Sequence, residues 1–130
     1  MYGKPSVLIV TKETDHGERL AATALRLGLR PVCCRTLGAA GLLANLHHRM
    51  VFCDEALPDG DFRGVIEEIS HADAYTPVIV VSEQGDWNSY FKAMKAGAFD
   101  CVGFSGGPGE IERIARSALR EVECQARAAA

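Results

Sequence analysis

Short apolar runs alternate with amphipathic stretches five times along the chain. Ser6-Val7-Leu8-Ile9-Val10 is continuous and rich in β-branched residues, the pattern of a strand covered on both faces. A polar stretch follows, in which Asp15 and Glu18 form a capping box; Leu20, Ala21, Ala24 and Leu27 then repeat at helical spacing, and Gly28 supplies the stop. Pro31-Val32-Cys33-Cys34 reads as a second strand. Thr36 caps a helix whose apolar face is Ala39, Leu42, Leu43 and Leu46, with His47 and His48 at its C-terminal end, where partly charged imidazoles suit the helix dipole.

The third unit is Val51-Phe52-Cys53-Asp54, a Leu57-Pro58 turn, and a helix carrying Phe62, Val65, Ile66 and Ile69, with Asp59 and Asp61 placed to cap it. Thr76-Pro77-Val78-Ile79-Val80-Val81 begins the fourth. Its helix repeats Trp87, Tyr90, Phe91 and Met94, aromatics expected to serve core and groove packing, and closes at Gly97. The fifth is Cys101-Val102-Gly103-Phe104, a Gly/Pro loop over 105–109, and a helix carrying Ile111, Ile114, Ala115, Ala118, Leu119 and Val122.

Five alternations with no room for hairpins predict a doubly wound, five-stranded parallel sheet of order 2-1-3-4-5 in a flavodoxin-like, three-layer α/β/α arrangement. The domain is expected over residues 1–124, with 125–130 a linker stub or a frayed helix end.

Composition fits this picture. The 130 residues are 48% hydrophobic and 24% charged with a formal net charge of -3, the profile of one globular domain without the basic footprint of a nucleic-acid or membrane-surface binder. No apolar run reaches membrane-spanning length and the N-terminus has no signal pattern, so a cytoplasmic protein is expected. The five cysteines include the adjacent pair Cys33-Cys34 and no Cys-x-x-Cys, which argues for reduced thiols, with Cys33, Cys34, Cys53 and Cys101 read as buried filler. The histidines at 16, 47, 48 and 71 have no ligand-spaced partner.

In such a sheet, chemistry gathers outside the carboxyl ends of the strands. The positions found there are Thr11, Lys12 and Glu13 after the first strand, Asp54 after the third, Ser82 and Glu83 after the fourth, and Phe104 with Ser105 after the fifth. Asp54, the first acid past a buried strand, is the principal candidate. No nucleophile–base pair, metal-ligand spacing or Walker loop accompanies it, so turnover of an external substrate is not expected.

These residues resemble the receiver domains of two-component response regulators over nearly the whole chain. The likeness is carried by Val7-Leu8-Ile9-Val10, by Asp54-Glu55-Ala56-Leu57-Pro58-Asp59-Gly60-Asp61, by Thr76-Pro77-Val78-Ile79-Val80-Val81-Ser82 and by Ala93-Met94-Lys95-Ala96-Gly97-Ala98-Phe99-Asp100. The resemblance implies that Asp54 holds the phosphoacceptor position and Ser82 that of the hydroxyl that contacts the phosphoryl group. It also implies a histidine kinase as donor and Mg²⁺ between phosphoryl oxygens and an acidic cluster. The chain departs from that pattern at Thr11 and Lys12, which replace the acidic pair; at Phe104, which replaces the lysine; at Ser105, which replaces the following proline; at Cys101, which replaces the switch aromatic; and at Glu83, which replaces a small residue.

A lysine in the acidic pair opposes a divalent cation, since like charges about 4 Å apart cost several kcal/mol at a protein surface. The Lys12 ammonium is therefore expected to pair with Asp54 in place of the metal. No cofactor is expected, a Mg²⁺ site rebuilt from Glu13 and Asp54 being the alternative. Three functional readings follow: a receiver-like module acting by protein contacts, a working Asp54 phosphoacceptor, and a small-ligand binder of flavodoxin-like topology. The expected partners are a histidine kinase or other signalling protein and an output domain beyond the C-terminus. A second copy is also expected, through the face built by the fourth helix, fifth strand and fifth helix, where Trp87, Lys92, Lys95, Arg113, Arg116 and Arg120 lie.

Overall fold

The computed structural model describes residues 5–71 and 75–129. Its parallel sheet contains β1 (Ser6–Val10), β2 (Arg30–Cys34), β3 (Met50–Asp54), β4 (Val78–Ser82) and β5 (Asp100–Gly103). The strands lie in the expected order, β2-β1-β3-β4-β5. Between and after them run α1 (Thr14–Arg26), α2 (Leu37–Leu43), α3 (Phe62–Ser70), α4 (Trp87–Lys95) and α5 (Pro108–Ala129). A two-residue antiparallel ribbon, Ala56–Leu57 with Gly60–Asp61, joins β3 to α3.

Strand side chains alternate between faces, and that alternation builds two cores. On one face Val7, Ile9, Phe52, Ile79, Val81 and Val102 meet Leu20 and Ala24 of α1 and Ile111, Ile114, Ala115 and Ala118 of α5. On the other Leu8, Val10, Val51, Cys53, Val78 and Val80 meet Ala40 of α2, Phe62, Val65 and Ile69 of α3, and Ala93 of α4. β1, β3 and β4 are buried throughout, which explains their unbroken apolar sequence. Among the described residues no helix is long and apolar enough to cross a membrane.

Several local expectations need correction. The first helix begins at Thr14 with Glu13 as its N-cap residue and no side-chain capping bond; Asp15 lies inside the first turn, so no capping box forms. Asp61 caps α3 by accepting from the Arg63 amide. Asp59 instead reaches back to α2, its two oxygens accepting from the amides of Leu37 and Gly38 at 2.7 and 3.0 Å, while Thr36 accepts from Ala39.

The inward face of α2 and the 3₁₀ turn after it is Ala40 and Ala44, with Leu37 and the expected Leu43 packed partly buried beside them, whereas Leu42 is 83% exposed; the small residues let the backbone approach the sheet. Helix α4 behaves likewise. Only Ala93 is buried, and Trp87 and Phe91 stand 74% and 62% exposed, so the aromatic repeat is a surface face, not core packing. Cys33 and Cys124 are exposed, which removes Cys33 from the buried filler. His48 is buried between the Ser6 hydroxyl at Nδ1 (2.8 Å) and the Leu43 carbonyl at Nε2 (2.9 Å). Burial lowers its pKa, so it is a neutral core group rather than a charge at a helix end. Residues 125–129 continue α5 as exposed helix.

Candidate functional site

The register of the sheet assembles the site. Val10 pairs with Cys53 and Asp54 with Val81, while Ser82 pairs with Gly103. Thr11, Asp54, Ser82 and Phe104 are consequently brought to one edge, and all four are buried. A cavity of about 520 Å³ opens above them, lined among others by Lys12, Glu13, His16, Asp54, Glu55 and Glu83.

Both hydrogen bonds to Asp54 fall on the same oxygen. The Thr11 hydroxyl donates to Oδ2 at 2.8 Å and the Lys12 backbone amide donates to it at 3.1 Å. Thr11 is itself held by the Glu13 amide, which donates to Oγ1 at 3.0 Å. Oδ1 accepts none of the hydrogen bonds found among the described residues. Burial raises the Asp54 pKa, with the Thr11 and Lys12 hydrogen bonds and the charges of His16 and Lys12 pulling it back down. Lys12 thus reaches Asp54 through its main chain. Its ammonium makes no ion pair with Asp54 within 4.0 Å, which corrects the expected lysine–aspartate contact. An exposed ammonium keeps its hydration, and the amide already points at the carboxylate.

The group that does stand beside Asp54 is His16. Its Nδ1 lies 3.9 Å from Asp54 Oδ1, its Nε2 lies 3.7 Å from Glu83 Oε1, and its ring stacks on Phe104 at 3.8 Å between centroids. Nδ1 is buried without a hydrogen-bond partner. Sequence spacing passes over His16 because its neighbours are distant in the chain; the usable signal is its place one turn into the helix that leaves the site edge.

Phe104 is buried at the edge, and the Arg19 guanidinium lies 4.8 Å from its centroid. Ser82 accepts from the Gly85 amide at 2.6 Å, so its hydroxyl organises the β4–α4 loop. Glu83 is exposed at the surface. Cys101 is half-buried, its thiol pushed up to about 11 chiefly by burial.

Mg²⁺, implied by the resemblance, asks for several hard oxygen ligands converging on one point. Around Asp54 the near groups are a hydroxyl and an amide that donate to it and an imidazole, and among the described residues no three His, Cys, Asp or Glu side chains come together to hold a metal. The groups nearest Asp54 do not by themselves make the converging oxygen set that the ion asks for.

No protein-family model matches the chain. The response regulator protein PilR of Pseudomonas aeruginosa is 30% identical over 118 residues, covering 90% of this chain and 26% of that protein. The regulatory protein AtoC of Escherichia coli is 27% identical over 97 residues, 73% of this chain and 21% of that protein. Among solved structures, the signal receiver domain of a putative Luxo repressor protein from Vibrio parahaemolyticus superposes with a TM-score of 0.83 at 17% identity, covering 97% of this chain and 98% of that one. This chain is a response-regulator receiver domain. The receiver spans only about a quarter of the length of these curated relatives. Within it, Asp54 and Ser82 end β3 and β4 at the edge where the cavity opens.

Proposed function

We propose that this receiver domain is a two-component signalling module that acts chiefly through protein–protein contacts, with Asp54 phosphorylated weakly or not at all. The observation that carries this reading is the set of groups around Asp54. A carboxylate attacking an anionic phosphoryl group needs positive charge to offset repulsion and hold the reactants in line. Here the cavity is lined by six carboxylates, Glu13, Asp54, Glu55, Asp61, Glu83 and Asp86, against the three cations Lys12, Arg63 and Lys92. Arg63 is already paired with Asp61. Phe104 and His16 fill the edge with stacked rings.

The contacts would be made with a histidine kinase or another signalling protein, with an output domain beyond the C-terminus, and between copies through α4, β5 and α5. The exposed Trp87, Phe91 and Met94 support that surface. A working phosphoacceptor is the second reading, favoured by Asp54, which lines the cavity and whose Oδ1 accepts no hydrogen bond among the described residues.

Incubation with acetyl phosphate, with and without Mg²⁺, followed by intact-mass measurement separates the two. Unmodified protein in both arms is expected. Ready, Mg²⁺-dependent addition of one phosphate that disappears in Asp54→Asn would establish the second reading.

A further inference from the structure

Thr11 stands where β1 gives way to α1, and its hydroxyl has two acceptors within reach. It donates to Asp54 Oδ2 at 2.8 Å, and the Glu13 carbonyl lies 3.4 Å from the same hydroxyl oxygen. A hydroxyl has one proton to give. The carboxylate holds it, being nearer and charged, since charge-assisted hydrogen bonds are roughly twice as strong as neutral ones. The second acceptor belongs to the start of a helix. Glu13 is the N-cap residue of α1, its side chain makes no capping bond, and its carbonyl already accepts from the Gly17 amide at 3.0 Å.

The surroundings confine the threonine to this choice. Thr11 is buried and its branched side chain is stiff about χ1. A Cβ on Gly17 would come within 3.3 Å of its methyl carbon, so the first turn of α1 closes over it. Its oxygen also accepts from the Glu13 amide at 3.0 Å. Both side-chain hydrogen bonds of Asp54, from the Thr11 hydroxyl and the Lys12 amide, come from this turn between β1 and α1. Among the described residues no side-chain hydrogen bond joins Asp54 to the β4–α4 loop, where the Ser82 hydroxyl accepts from the Gly85 amide.

We infer that the Thr11 hydroxyl is a two-position switch through which the state of Asp54 reaches the start of α1. While Asp54 presents a free carboxylate, the proton stays on Oδ2 and the Glu13 carbonyl serves the Gly17 amide. Whatever weakens Asp54 as an acceptor, as a partner's hydrogen-bond donor at Oδ1 would, turns the hydroxyl toward the Glu13 carbonyl. That carbonyl is then shared, and its bond to Gly17 loosens. The route runs from the cavity into α1 and asks nothing of Cys101 or of the β4–α4 loop. Thr11 is thus a positioning residue, acting through Asp54, and the switch rests on the reading of Asp54 as the centre of a site that works by protein contacts.

Amide hydrogen exchange in the full chain, followed residue by residue by NMR, tests this without phosphate. Asp54→Asn keeps the shape and leaves a neutral, weaker acceptor, while Asp54→Ala removes the acceptor altogether. The Gly17 amide bonds to Glu13 and not to Asp54, so it reports only what is relayed. Its exchange is expected to quicken by about twofold or more in either variant, the scale of coupling within one hydrogen-bond network. In a Thr11→Val background the same substitutions are expected to leave it unchanged. In a Thr11→Ser background, which keeps the hydroxyl, the quickening is expected to return. A Gly17 amide that quickens equally in the Thr11→Val background overturns the switch, and so does one that quickens in no background. Phosphate addition to Asp54, read by mass, would end the reading of a weakly phosphorylated domain and leave these rates as they stand; rates that fail the comparison would end the switch and leave that reading standing.

Discussion

Gly85 and Gly103 meet backbone to backbone. A Cβ on Gly103 would lie 2.8 Å from the Gly85 nitrogen and 2.9 Å from the carbonyl carbon of Gln84. The β4–α4 loop is thus pressed onto β5, and the Ser82 hydroxyl, accepting from the same Gly85 amide, holds it from the other side. Because the opposing atoms are main chain, no rotamer change makes room. Gly103→Ala is expected to destabilise the fold by about 1–3 kcal/mol, the usual range for overpacking. A urea midpoint equal to the parent's would show that the loop yields without cost.

The pair Ser6 and His48 makes stability depend on pH. His48 accepts from the Ser6 hydroxyl at Nδ1 and donates from Nε2 to the Leu43 carbonyl, an arrangement that suits the neutral ring, and burial lowers its pKa from the ordinary 6.5. Above 6.5 the ring is neutral folded or unfolded and adds no pH dependence. As pH falls below 6.5 the unfolded chain takes up a proton that the fold refuses, so stability drops until the lowered folded value is passed. Ser6→Ala leaves Nδ1 buried without its partner and is expected to cost about 1–3 kcal/mol. Chemical denaturation across that pH range checks both, and a stability flat from neutral to mildly acidic pH in a His48→Gln background is expected only if His48 is the source.

On α4 the Trp87 and Phe91 rings stack on each other 5.5 Å apart, and Tyr90 meets Trp87 edge-on at 5.7 Å. This cluster is on the surface. Phe91→Ser is therefore expected to change folding stability by no more than about 0.5 kcal/mol while weakening association between copies. Sedimentation of parent and variant at matched concentration measures it. A parent that stays monomeric at high concentration would remove self-association through this face.

The fold was legible because each strand announces itself: Val7 to Val10, Val51 to Cys53 and Val78 to Val81 are apolar on both faces, and only a sheet covered by helices on both sides buries such runs. Asp54, Ser82 and Phe104 followed from topology, since each falls at a strand's carboxyl end. What spacing could not give was how each residue is used. Lys12 bonds through its amide, which every residue type possesses, so the side chain misled. His16 acquires its role from Asp54 and Phe104, which only folding brings near. The apolar repeats of α2 and α4 pointed the wrong way because large residues weigh most in a pattern, whereas Ala40, Ala44 and Ala93, being small, are the ones that fit against the sheet.

The Asp59 clasp has a mechanical consequence. By seating the first amides of α2 on its carboxylate, it moors the segment that follows Asp54 to a helix earlier in the chain, while Gly85 against Gly103 fixes the opposite bank of the cleft. One bank is held by a carboxylate on two main-chain amides and the other by backbone packed on backbone. Each bank of the cleft is thus tied to an element that lies far from it in the sequence.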